Sequence, residues 1–265
     1  MNNTPTLQAS VLPPSAGWAW ILQGYHLFRA QPLAMLFWST ATSFIIQVGS
    51  VIPVIGQMAL VLLTPLLTFL TLNACRTISR GQKMVPGLWL APLKAPGVMP
   101  ALLRLGSAYL GFTLLAAFVS VLPFLSSLVQ SLGTGSDPDY ASLAQAMWGP
   151  MLIFGGFYVL LSALFWHAPA LMGWHALPLK RALFYSMVAC WRTKWAIVLY
   201  VSSWAAVYYG LSLLLGTLAS AGLAANSMTW ISLILDIVLT ALLYCSFYPV
   251  YATTFRANDT SALQA

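Results

Sequence analysis

Six long apolar stretches divide the chain, at about residues 33–52, 54–75, 105–122, 150–172, 195–222 and 229–251. Each is close to or above the roughly 20 residues that carry a helix across a hydrocarbon core of about 30 Å. Two shorter segments have helical rather than uniform apolar character. In 17–30, Trp18, Ile21, Leu22, Tyr25 and Phe28 share one face while Ala19, Gln23, His26 and Ala30 share the opposite one. The second, 182–194, is basic and amphipathic. Both are too short to span, and helices of this kind lie in the membrane interface, with Trp and Tyr at headgroup level. The pattern therefore predicts an all-α polytopic protein of six transmembrane helices with amphipathic interface helices.

Punctuation refines the spans. Pro53-Val54-Ile55-Gly56 leaves almost no loop and predicts a tight antiparallel hairpin of the first two spans. Pro65 falls inside span two, His167 and Pro169 inside span four, and Asp236 and Pro249 inside span six. A kink is expected at Pro65, with Thr64 or a neighbouring helix offsetting the lost backbone donor. Between Arg76 and Arg104, Pro86, Pro92, Pro96 and Pro100 exclude a long helix, leaving Leu88, Trp89, Leu90 and Leu93 to bury against lipid. The connection 124–149 is the largest on the other side, and within it Asp139 is placed to cap a short helix carrying Leu143 and Met147 on one face. Residues 1–16 read as a disordered lead, 17–256 as the membrane domain and 257–265 as a tail.

Charge orients this layout. Arg29 precedes span one. Arg76, Arg80, Lys83, Lys94 and Arg104 lie between spans two and three, Lys180, Arg181, Arg192 and Lys194 between four and five, and Arg256 follows six. The three alternate connections hold no Lys or Arg, and one carries Asp137 and Asp139. Positively charged loops stay in the cytoplasm, so both termini and both interface helices are expected there, in a bacterial inner membrane.

Composition agrees: 60% of residues are hydrophobic and 6% charged, with a mean hydropathy of +0.84. A soluble domain carries about 25% charged residues. The net charge of +7 sits beside spans, where it meets anionic headgroups, and is not a nucleic-acid footprint. Arg29, Lys180, Arg181, Arg192 and Lys194 are the candidate headgroup anchors. No basic leader with an early apolar run opens the chain, so span one is expected to direct insertion. Cys75, Cys190 and Cys245 show no CxxC or CxH spacing and read as small apolar residues of a reducing compartment.

One residue stands apart. Asp236 lies well inside span six, where an aspartate costs about 2.5 to 3.5 kcal/mol on insertion scales and needs water or a partner. Helical rise puts Tyr208, Tyr209 and Gln47 at a similar depth. Two readings stay open: an intramembrane polar pocket with Asp236 as its acid, or a protonated aspartate bonded to tyrosine and holding two helices together. His167 lies nearer the cytoplasmic end, too far for a direct relay to Asp236. No HExxH, CxxC, acidic cluster, P-loop or dinucleotide fingerprint appears. No metal, cofactor or catalytic residue is therefore assigned.

The first interface segment aligns without gaps on the second: Ala19, Ile21, Gln23, Tyr25, Phe28 and Arg29 fall on Ala182, Phe184, Ser186, Val188, Trp191 and Arg192. This hints at a repeat of interface helix plus hairpin, used three times with a proline-broken middle copy. The common need of any hairpin for an aromatic-and-Arg anchor explains it equally well.

Residues 17–33, from Gly17-Trp18-Ala19-Trp20 to Gln31-Pro32-Leu33, resemble the opening of an uncharacterised proteobacterial family of six-span inner-membrane proteins. Pro53-Val54-Ile55-Gly56, Asn73-Ala74-Cys75-Arg76, Ala168-Pro169-Ala170-Leu171 and Ser246-Phe247-Tyr248 extend the likeness in order, over about residues 17–256. The layout is also distantly similar to the membrane domain of glycerophosphodiester phosphodiesterases, without their catalytic domain. His167 departs from the bulky apolar residue expected before Ala-Pro-Ala-Leu. The resemblance implies fold and inner-membrane location and no activity. The sequence thus predicts a non-enzymatic scaffold or organiser of lipids or of a membrane-protein partner, itself included as a homo-oligomer. The rival is a small permease using Asp236 as a proton or cation site.

Overall fold

The computed structural model describes residues 9–132, 140–222 and 225–255. Asp137, Asp139 and Arg256, and with them the predicted cap, lie outside the described residues. Every regular element among the described residues is helical, and six helices are long and apolar enough to cross a membrane.

Helix α1 (Ala16–Ala30) and α2 (Pro32–Val51) are separated by Gln31 alone. Pro32 starts α2 because a first-turn residue needs no intrahelical N–H partner. The turn at 52–54 returns the chain into α3 (Ile55–Ser79), whose helix runs on through Pro65. Thr64 donates its hydroxyl to the Leu60 carbonyl at 2.8 Å. The proline-rich connection forms the short α4 (Pro86–Trp89) and a 3-10 turn at Ala91–Lys94. Trp89 folds inward rather than onto lipid: it is buried, its ring centroid 4.7 Å from that of Trp38, and its carbonyl accepts from the Asn73 amide. Helix α5 (Val98–Val121) begins well before residue 105, since Pro100 falls in its first turn where a missing N–H costs nothing. A 3-10 turn containing Pro123 leads to α6 (Leu125–Leu132).

Helix α7 (Tyr140–Phe165) continues through Pro150, so the short helix expected around Leu143 and Met147 is the first part of span four itself. That span then stops early. The chain breaks at Trp166-His167 and resumes as α8 (Ala168–His175), because Pro169 cannot donate to the residue 165 carbonyl. Helix α9 (Leu179–Arg192) meets α10 (Lys194–Ser220) across Thr193, and α11 (Ala225–Thr254) closes the bundle.

Helix α11 is the hub, packed on α1, α2, α3 and α10, while α5 lies between α3 and α7. Helix α1 does more than float in the interface. Gly17, Trp20 and Gly24 are buried against α10 and α11, leaving Trp18, Leu22 and Tyr25 as the outward apolar face. At Gly24 a Cβ would stand 2.7 Å from the Ser246 backbone, so only glycine permits this approach. Trp20 fills the neighbouring space and donates its indole N–H to Thr253 Oγ1 at 2.7 Å. Helix α9 buries Ala182, Ser186, Ala189 and Cys190. In the ungapped alignment Gly17, Trp20 and Gly24 fall on Lys180, Leu183 and Met187, so the two helices turn different faces to the bundle.

Candidate functional site

The ten described Lys and Arg side chains all belong to one end of the bundle, at the start of α2, α5 and α10 or the end of α3, and in the segments between. Arg29, Lys180, Arg181, Arg192 and Lys194 are exposed. Lys194 Nζ stands 4.4 Å from the Trp191 ring centroid and the Arg29 guanidinium 5.8 Å from that of Tyr25, a cation and an aromatic side by side as interface anchors are. Arg192 also donates to the Ala9 carbonyl at 2.8 Å, tying the chain's lead to α9. Deeper at this end, the Arg76 guanidinium lies over Trp174 at 4.6 Å, and His175 Nε2 shares a 2.8 Å hydrogen bond with the Tyr251 hydroxyl.

Asp236 occupies the loosely packed part of α11, about 16 Å along the helix from Ala225 at 1.5 Å per residue, and is exposed. It is within electrostatic reach of the half-buried Tyr208, which lies beside Thr240 one turn further along α11. Tyr209 is 68% exposed and Gln47 is exposed on α2. The structure brings Asp236, Tyr208 and Thr240 to one seam between α10 and α11; no hydrogen bond joins Tyr209 or Gln47 to them among the described residues.

The enclosed space lies elsewhere. A cavity of about 340 Å³ runs between α2, α3, α5, α7 and α11, and none of the four predicted polar residues lines it. One wall is the α3 stripe Thr64, Pro65, Thr68 and Thr71; facing it are Tyr109, Tyr158, Phe165, Tyr244 and Phe247. Its lining includes no Lys, Arg, Asp or Glu. The threonine hydroxyls return their protons to their own helix carbonyls: Thr64 to Leu60, Thr68 to Thr64, Thr71 to Leu67. The lining is exposed at Ile46, Thr64 and Tyr158 and buried at Phe165, His167 and Tyr251, so it opens sideways at membrane depth and closes toward the basic end.

That closed end is built by the break in span four. The His167 N–H is taken by Ser186 Oγ of α9 at 3.0 Å, and the same hydroxyl donates to the Ala163 carbonyl at 2.9 Å. One serine thus serves the donor and the acceptor that would otherwise have paired with each other across the break. The imidazole is 1% exposed, packed edge-on to Phe255 at 5.2 Å, and its Nε2 has no hydrogen-bond partner. The sequence places His167 inside span four but specifies no neighbours for it. The available signals were a histidine two residues before Pro169 and threonines at 64, 68 and 71, spaced along one helical face.

Among the described residues no three His, Cys, Asp or Glu side chains gather closely enough to hold a metal ion. All three cysteines are buried and free, and burial pushes the Cys190 thiol up to about 12.

No family model matches the chain, and no solved structure matches it, so the distant likeness to the phosphodiesterase membrane domain gains no support. Among curated proteins the chain is 32% identical to a probable inner membrane protein of Burkholderia thailandensis over 263 residues, covering 97% of both chains. Identity of that extent, running end to end through a bundle with six helices able to cross a membrane, places this chain in the same family of inner-membrane proteins.

Proposed function

We propose that the protein is a non-enzymatic organiser of the inner membrane, holding anionic lipid headgroups at its basic end and presenting that end to a membrane-protein partner or a second copy of itself. Both termini lie in the cytoplasm in this reading, and nucleic acid has no part in it. The observation that carries it is the confinement of all ten described cations to one end, with the five anchor residues exposed and two of them stacked on aromatic rings. Each such cation contributes about 1 kcal/mol beside an anionic surface. The test is lipid analysis of the protein excised in native nanodiscs. Anionic lipids should be enriched over the bulk membrane, and the enrichment should fall when Lys180 and Arg181 are both changed to Glu. Bulk composition in the wild type would overturn the reading. In the same strain background, Gly135→Cys and Ala225→Cys should label from the periplasm and Lys83→Cys should not.

A second reading, a small permease, is favoured by one specific feature: an aspartate in mid-helix grouped with Tyr208 and Thr240, in a bundle that also contains an interrupted span.

A further inference from the structure

We infer that the cavity between α3, α7 and α11 is a binding site for an uncharged single-chain amphiphile, with its carbonyl- or hydroxyl-bearing head at His167 and its tail leaving past Ile46, Thr64 and Tyr158. The inference deepens the lipid-organising reading and rests on it for the membrane setting.

Three observations converge. The opening lies at the level where Ile46, Thr64 and Tyr158 are exposed, and the six long apolar helices put that level inside the bilayer, so a ligand enters from lipid. From Tyr158 to His167 the helical rise is about 13 Å, close to the depth of one leaflet's hydrocarbon. At the inner end a buried imidazole offers an unpartnered Nε2, and the side chains of Tyr109, Tyr158 and Tyr244 add phenols to the lining. A buried polar atom such as His167 Nε2 calls for a partner, because it has given up its hydrogen bond to water.

The chemistry of the lining selects the head. With no cation or carboxylate in the wall, a phosphate, ammonium or ionised carboxylate would be stripped of water without a counter-charge. A carbonyl or hydroxyl loses little, since imidazole and phenol can each donate or accept. The volume of about 340 Å³ falls within the range of small-molecule sites, enough for a head and the first part of a tail while the remainder stays in lipid.

The test uses the full chain in vesicles of phosphatidylethanolamine and phosphatidylglycerol, with a long-chain alcohol carrying a mid-chain diazirine as the probe. Photolysis should label peptides containing Ile46, Leu60 or Tyr158 saturably. The same chain ending in phosphate should need about tenfold more probe for half-saturation, the factor that 1.4 kcal/mol of head preference produces. His167→Leu should raise the half-saturating concentration of the alcohol by a similar factor. Thr64→Phe, at an exposed position and therefore tolerated by the fold, should suppress the saturable labelling, whereas Tyr209→Phe should leave it unchanged. Labelling spread evenly over outward positions such as Phe37, equal saturation by the phosphate-ended probe, or indifference to Thr64→Phe would overturn the inference. Anionic-lipid enrichment, measured in native nanodiscs, reads the organising role separately: enrichment with diffuse labelling sinks only the cavity, and saturable labelling without enrichment sinks only the organiser.

Discussion

The half of the bundle at the basic end and the half at the other end are assembled differently, although the same helices pass through both. Along α3, most of the residues from Phe69 to Ile78 are buried, whereas between Ile55 and Thr64 only Gly56 is. Along α10 the buried positions are Ala196, Tyr200 and Trp204, and none follows them. The cause is a second layer. Helices α1, α4, α8 and α9 are too short to span and wrap the basic end, so side chains there meet protein on all sides. At the far end few positions of α3 and α10 are buried, and lipid must complete the packing. The cavity lies where one regime gives way to the other.

The comparison can be broken first at Gly24. Gly24→Val would drive a side chain into the Ser246 backbone, so α1 should lose its seat on α11. The expected result is loss of most folded protein from mild detergent, read by size-exclusion and thermal unfolding; a well-folded variant would show that α1 docks only loosely. The next largest effect is expected from Ser186→Ala, which removes the hydroxyl serving both His167 N–H and the Ala163 carbonyl. A loss of about 1–3 kcal/mol, the cost of leaving buried polar groups unmet, should appear as a lower unfolding midpoint. The smallest effect is expected in the far half. Asp236→Asn removes an exposed carboxylate from a seam with few contacts, so the midpoint should stay within about 0.5 kcal/mol of wild type. A large loss of folded protein would mean that Asp236 pins α10 to α11. An unchanged midpoint with loss of proton-coupled uptake in proteoliposomes would favour the permease.

The far half was the more legible in sequence, because lipid asks only for apolar residues over a sufficient length. The six-helix plan follows from that demand. The basic half was harder to read for the opposite reason. Its key contacts use glycines at 17 and 24 and a serine at 186, small residues that carry no hydrophobic signal and matter only through what they let approach. Trp20 belongs to neither face that the periodicity of 17–30 picks out, yet it is fully buried. Trp89 was expected against lipid, yet it finds Trp38, a neighbour that no local pattern specifies. The cavity was illegible as a unit because its wall is contributed by five helices with a few residues each. Asp236, the one Asp, Glu, Lys or Arg inside the six apolar stretches of the sequence, stands out instead, yet it does not line the cavity.

The 2.7 Å bond from Trp20 to Thr253 joins the first helix of the chain to the last across 233 positions. During synthesis α1 emerges first, yet its binding groove, formed by α10 and α11, exists only when translation is almost finished. Until then Gly17, Trp20 and Gly24 lack the helices that bury them in the complete chain. Docking of α1 therefore reports that the whole polypeptide has been inserted. A product truncated before α11 would keep that face open, a mark by which quality control can tell an unfinished copy from a complete one.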